Sequence, residues 1–310
     1  MWRMTILFAL VWFANGQRFH NPVLDNGDYP DPGVILYNGV YYAVTTTNNE
    51  SPEKFPIHTS KDLQNWSQIG YVFNEANLPK WSRVKAEYWA PEIHQINGKF
   101  LVYYTSHDVE NNQLAIGVAV GNSPAGPFTT PDKPILVFPN TWVADPTVIN
   151  DPTNGKLMLS WVNGYNIRAR NLTNDGLAFK DDTTVLLLKP DKDWEGGETE
   201  GPWYIYRNGY HYLFYSGNNF CGENYALGVA RSRTSTGPYE KLPYPLLVSD
   251  DDFKGPGHGS IVRDTDGEGY VFVHHGWKTG AVCGSYPRLM FSTSMSWGAD
   301  DWPRNMTIGD

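Results

Sequence analysis

The chain reads as an all-β protein, a five-bladed β-propeller, and three observations predict it. A hairpin unit recurs five times at intervals of roughly 55 to 60 residues, and a unit of this period carries an apolar face that only neighbouring copies can cover. Each copy places Asn-Gly or Asp-Gly between two strands rich in Tyr, Phe and Val, and such a pair supplies the positive φ angles of a tight hairpin. Composition agrees: 30 Gly, 22 Pro and 45 aromatic residues in 310 suit many short strands joined by turns. No long stretch shows the three-and-four apolar spacing of a helix, so helix content should be low.

Taken in order, the first copy is YPDPGVILYNGVYYAVTTT from Tyr29, turning at Asn38-Gly39. The second, YWAPEIHQINGKFLVYYTS from Tyr88, turns at Asn97-Gly98, and the third, VADPTVINDPTNGKLMLSWV from Val143, at Asn154-Gly155. The fourth, TEGPWYIYRNGYHYLFYSG from Thr199, turns at Asn208-Gly209, and the fifth, GHGSIVRDTDGEGYVFVHHG from Gly257, at Asp266-Gly267. Tight hairpins and one shared core are expected throughout. A β-sandwich would scatter its turns without holding one phase. No linker or low-complexity stretch interrupts the copies, so residues 17–310 are expected to form a single propeller domain.

Residues 1–16 are a different text. Arg3 precedes the apolar run Thr5 to Ala14, and Ala14-Asn15-Gly16 offers the small residues a signal peptidase inspects. The run is too short to span a bilayer, so it reads as a secretory signal with the mature chain starting near Gln17; a buried N-terminal strand is the competing reading. Three glycosylation acceptor patterns, at Asn65, Asn171 and Asn305, fit a secreted, extracellular protein. The two cysteines, Cys221 and Cys283, fall after the second strand of neighbouring copies, where an oxidising compartment would bridge them; no general base accompanies either at a recognisable spacing. A net charge of -9 disfavours nucleic acid and anionic membranes as partners. It suits a neutral ligand such as a sugar, and a monomer is expected.

In a propeller the innermost strands converge, so equivalent positions at their starts meet near the axis. Here those are Asp31, Glu92 or its neighbour Pro91, Asp145, Glu200 and His258. Carboxyl groups brought together repel and raise one another's pKa, so such a cluster signals function. Glycoside hydrolysis is the chemistry that needs one protonated and one ionised carboxyl in a pocket. Asp28 competes with Asp31, and Glu195 and Glu198 compete with Glu200, but the repeat phase selects Asp31 and Glu200.

At these residues the sequence resembles glycoside hydrolase family 43. Tyr29-Pro30-Asp31-Pro32-Gly33, Ala144-Asp145-Pro146-Thr147 and Glu200-Gly201-Pro202 are similar to its first-, third- and fourth-blade segments. The resemblance implies an inverting hydrolase in which Asp31 is the general base, Glu200 the general acid and Asp145 the residue that tunes and orients the acid. It further implies substrate contacts from Trp89, His258 and Arg288. No cofactor is required on this reading; in several relatives the position of His258 helps hold a calcium ion, so a structural calcium is one expectation there and a metal-free pocket histidine the other. The substrates implied are pentose-containing polysaccharides or oligosaccharides, α-L-arabinofuranosides or β-D-xylosides. The lack of an appended β-sandwich favours arabinan or arabinofuranosyl side chains. The segments Asn48 to Ile57, Val109 to Gln113 and Asn218 to Tyr225 are expected to shape the pocket mouth. Invertase-type motifs and the tryptophan-aspartate signature of protein-binding propellers are missing, and a sugar-binding propeller without catalysis would have no use for three intact carboxyl groups.

Overall fold

The computed structural model describes residues 18–82, 87–267 and 269–308; the expected signal segment lies outside the described residues. Twenty strands form five sheets, the five blades, and the described residues include no α-helix, only a 3-10 turn at Asp193–Glu195. Blade 1 is β1 (Gly33–Tyr37), β2 (Val40–Val44), β3 (Lys54–Ser60) and β4 (Ser67–Phe73). Blade 2 is β5 (Tyr88–Ile96), β6 (Lys99–Asp108) and β7 (Gln113–Gly121), with the short β8 (Phe128–Thr129) and β9 (Leu136–Val137) both on β7. Blade 3 is β10 (Ala144–Asn150), β11 (Leu157–Asn163), β12 (Asn166–Leu172) and β13 (Phe179–Leu188). Blade 4 is β14 (Thr199–Arg207), β15 (Tyr210–Gly217), β16 (Ala226–Ser232) and β17 (Glu240–Lys241), and blade 5 is β18 (Phe253–Arg263), β19 (Tyr270–Lys278) and β20 (Leu289–Met295).

Every named pairing is antiparallel, and β1, β5, β10, β14 and β18 contact one another in a closed ring. The residues ahead of β1 complete blade 5. Leu24 bridges Met290 on β20, Val23 N–H donates to the Met290 carbonyl at 2.8 Å, and Tyr29 N–H donates to the Arg288 carbonyl at 2.8 Å. Asn21 reinforces this through both ends of its amide, donating to the Ser292 carbonyl and accepting from its N–H. An otherwise bare sheet edge is thereby paired.

Three of the five expected tight turns are two-residue hairpins. Tyr37 pairs with Val40, Ile96 with Lys99 and Arg207 with Tyr210, and the intervening Asn-Gly residues all have φ between 49° and 77°. The third and fifth are corrected by the structure: residues 151–156 and 264–269 form longer loops closed by Asp151 N–H to the Lys156 carbonyl and Asp264 N–H to the Gly269 carbonyl. In each, an aspartate at the loop start draws in backbone N–H groups, from Thr153 and Thr265 respectively. That side-chain capping stabilises a wider turn than the Asn-Gly pair alone would make.

The core is likewise divided rather than single. Five apolar clusters lie one between each pair of adjacent blades, such as Phe55, Tyr88 and Tyr104 between blades 1 and 2 and Val34, Val271 and Met290 between blades 1 and 5. The alternating strand pattern explains this, since each twisted sheet presents one face to each neighbour. Trp161, fully buried between blades 2 and 3, is one such anchor; its truncation to Ala costs about 3–5 kcal/mol.

Candidate active site

Each innermost strand starts with the same backbone device. Asp31, Ala90, Asp145, Gly201 and His258 have φ of 53°, 43°, 54°, 55° and 41°. In blades 2 to 5 the ladder jumps around them, between Trp89 and Glu92, Ala144 and Thr147, Glu200 and Trp203, and Gly257 and Gly259. A bulge of this kind re-aims the side chains beside it. Left-handed φ costs a residue with a Cβ on the order of 1 kcal/mol or more, and such strain collects at functional sites. At Gly201 a Cβ would also lie 2.7 Å from the His258 ring, which is why Glu200 is followed by glycine.

The bulges refine the expected equivalence. Asp31, Asp145 and His258 do share one phase, but Glu200 sits one residue ahead of its bulge, and Glu92 lies two residues beyond Ala90. Glu92 is buried within β5 and absent from the cavity wall. Its burial, then the charges of Asp145 and Asp31, push its carboxyl well above the usual range.

The axis opens into a cavity of about 460 Å³. Asp31, Asp145, Glu200, His258, Arg288 and Trp89 all line it, so the six predicted site residues are brought together. Asn48, Leu114, Trp142, Ala144, Tyr165, Glu198, Asn219 and Phe220 complete the wall. Two of the three segments expected at the mouth contribute to it, and the third ends one residue before Leu114. Trp89 is oriented by its indole N–H, which donates to Asn48 Oδ1 at 3.0 Å. Trp142 and Tyr165 meet edge to face at 5.3 Å, and together the rings provide flat apolar faces of the kind sugar rings pack against.

Asp31 is clamped by cation-capable groups. Its Oδ1 lies 2.9 Å from Arg288 Nη1, 3.0 Å from His275 Nδ1 and 3.4 Å from His258 Nδ1, while Oδ2 accepts from Thr46 Oγ1 at 2.7 Å. Burial opposes ionisation here, but Arg288, His258 and His275 outweigh it and hold the carboxyl far below its ordinary range. Burial, followed by the Arg288 charge, pushes His275 down to about 4, so its ring is neutral near pH 7. Asp28 stays in the preceding loop, where its Oδ1 accepts the Arg288 backbone N–H at 2.8 Å.

Glu200 has the opposite surroundings. Burial and then the neighbouring Asp145 charge push it up to about 8, against the Tyr225 hydroxyl, which donates to Oε1 at 2.7 Å. Asp145 is raised by its own burial, and its Oδ2 accepts the Gly201 N–H at 3.0 Å. That donor favours ionised Asp145, while burial and the Asp145 charge favour protonated Glu200. The rival Glu195 is fully occupied elsewhere: buried, it accepts from the N–H groups of Asp191 and Lys192, from Tyr215 Oη and from Lys241 Nζ. Glu198 reaches the cavity wall.

Asp145, Glu200 and His258 each offer a ligand atom, all within 4.8 Å of one another. The set supplies two carboxyl groups and an imidazole, so a calcium ion, which takes about six to eight oxygen ligands, would draw most of its remaining ligands from water.

Sequence reasoning missed His275, Thr46 and Tyr225. They come from second strands and a loop, where no repeat phase marks them; only the flagged segment ending at Tyr225 pointed toward one. The disulfide between Cys221 and Cys283 does form, with Cα atoms 4.9 Å apart, joining the loops of blades 4 and 5. Closing 62 residues in this way stabilises the fold by about 4 kcal/mol on the chain-entropy account.

A five-bladed ring that gathers three carboxyl groups with unlike surroundings in one cavity is the kind of site that glycoside hydrolysis calls for. The chain belongs to glycosyl hydrolases family 43, whose profile matches residues 19–303. It is 27% identical over 97% of its length to the non-reducing end alpha-L-arabinofuranosidase BoGH43B of Bacteroides ovatus, of which the match covers 57%; the chain therefore spans little more than half of that relative. It is 26% identical over 95% of its length to the extracellular endo-alpha-(1->5)-L-arabinanase 1 of Bacillus subtilis, covering 90% of that protein. Among solved structures, a thermostable family-43 glycoside hydrolase superposes with a TM-score of 0.82 at 27% identity, covering 92% of this chain and 95% of the other.

Proposed function

We propose that the protein is a secreted, inverting hydrolase of α-L-arabinofuranosyl linkages in plant cell-wall polysaccharide, arabinan or arabinoxylan. The observation that carries the mechanism is the contrast between two buried carboxyl groups in one cavity: Asp31, kept ionised chiefly by the Arg288 charge, and Glu200, kept protonated by burial and Asp145. Asp31 takes a proton from a water molecule whose oxygen attacks the anomeric carbon. Glu200 delivers its proton to the glycosidic oxygen as that bond breaks. Asp145 holds Glu200 protonated and, through the Gly201 N–H, fixes the backbone beside it. His258 stands on β18 between the blades that carry base and acid, a place that brings its ring to substrate or to ordered water.

Arabinofuranosyl specificity is supported by likeness to an arabinanase of nearly the same length and to an arabinofuranosidase. Secretion is supported by the Cys221–Cys283 bridge and by the exposed Asn65 and Asn305 acceptor sites. Product analysis on debranched arabinan, arabinoxylan and xylo-oligosaccharides, with Asp31→Ala as control, tests the reading. Arabinose or arabino-oligosaccharides are expected, lost in the variant, and product size separates end-trimming from internal cleavage. Xylose alone would shift the specificity to β-xylosides; no product at all would leave a sugar-binding propeller.

A further inference from the structure

Tyr225 is fully buried at the end of the connection between β15 and β16. Its hydroxyl donates to Glu200 Oε1 at 2.7 Å. Its ring lies parallel to His275, with centroids 5.7 Å apart and planes 7° apart, and His275 in turn contacts Asp31 Oδ1. One side chain thus touches the acid directly and the base through one neighbour. The ring is wedged: a Cβ at Gly257 would come within 2.5 Å of its Cε1. The loop that delivers it is tied down at the Cys221–Cys283 bridge and where Trp277 Nε1 donates to the Phe220 carbonyl at 3.2 Å.

We propose that Tyr225 is a positioning residue for proton delivery, one that occupies Glu200 Oε1 so that Oε2 carries the transferable proton. This rests on the reading of Glu200 as the acid. When the Oε2 proton passes to the glycosidic oxygen, the bond from that oxygen to the anomeric carbon breaks, and the bond to water oxygen forms as Asp31 takes the water proton. Tyr225 keeps its own proton throughout. Its hydrogen bond strengthens as Glu200 becomes a carboxylate, because charge-assisted bonds are about twice as strong as neutral ones. The interaction therefore favours the transition state over the ground state. Burial, followed by the Glu200 charge, holds the phenol well above its usual range, which keeps the proton in place.

The test compares Tyr225→Phe with Glu200→Gln on arabino-oligosaccharides and on a dinitrophenyl arabinofuranoside, whose leaving group departs without a proton. For Tyr225→Phe, kcat on oligosaccharide should fall about tenfold, the size of a lost hydrogen bond to a charged group, with KM within twofold. Turnover of the dinitrophenyl substrate should stay within twofold. The alkaline limb of kcat/KM should move to higher pH, since a donor that favours ionised Glu200 is gone. Equal loss on both substrates would assign Tyr225 a structural role and overturn the proposal, as would an unmoved alkaline limb. If Glu200→Gln shows no leaving-group dependence, the acid assignment fails and the proposal falls with it. If Glu200→Gln shows that dependence and Tyr225→Phe does not, only the role of Tyr225 is lost.

Discussion

The two sides of the axial cavity bury the same chemical group and obtain opposite results. Where blades 1 and 5 meet, Asp31 is 6% exposed and surrounded by a guanidinium, two imidazoles and a hydroxyl. Where blades 3 and 4 meet, the charge that acts most strongly on Glu200 is another carboxyl, that of Asp145. Burial alone raises both pKa values, so desolvation does not separate the proposed base from the proposed acid. The neighbours do, and they are chosen by which blades adjoin.

That contrast predicts a bell-shaped pH profile. Asp31 must be ionised, so activity is lost as pH falls, and the clamp places that limb far below the ordinary carboxylate range. Glu200 must be protonated, so activity is lost as pH rises through about 8. The largest break comes from neutralising the base: Asp31→Asn should lower kcat by about 10³- to 10⁴-fold on every substrate, whatever its leaving group. Steady-state kinetics with both substrate types check this, and retention of the dinitrophenyl activity would place the base elsewhere. Glu200→Gln should cost at least about 10²-fold, confined to poor leaving groups.

A smaller and more pointed effect is expected from Asp145→Asn. It removes the charge that holds Glu200 protonated, so the alkaline limb should move to lower pH while kcat falls about tenfold. A limb that stays in place would mean that burial alone sets the acid. The smallest effect concerns metal. If His258 is a metal-free pocket histidine, treatment with a chelator should change kcat by less than about twofold. Activity lost on chelation and restored by calcium would show that His258 helps hold an ion.

The convergence of the three carboxyl groups was legible because a fivefold repeat labels its own axis: Asp31 and Asp145 announce themselves by standing before proline in the same phase. Glu200 was legible through its Glu-Gly-Pro segment, even though the bulge falls at Gly201. The misplacement of the second-blade residue has a physical origin, since bulges add residues that a one-dimensional phase count cannot see; Ala90 holds the position that phase assigned to Glu92 or Pro91. The clamp was not legible. His275 and Thr46 lie on or just after second strands, and Tyr225 lies at the end of a loop, so they meet the site only through blade packing. The wide loops at 151–156 and 264–269 were misread for a related reason, because their glycines are indistinguishable in sequence from those of true two-residue turns.

The seam at which residues 21–29 zip onto β20 has a consequence in time as well as in space. Asp31 follows that seam immediately, and Arg288 sits on its other side, with Asp28 holding the Arg288 backbone and Asp31 holding its guanidinium. Asp31 and its chief counter-ion are separated by 257 residues, so during synthesis the carboxylate waits for nearly the whole chain before its partner exists. A chain that has not closed its ring holds all the acids but not the charge arrangement that tells them apart. Catalytic competence therefore reports ring closure, and recovery of turnover during refolding should lag the burial of the individual blades.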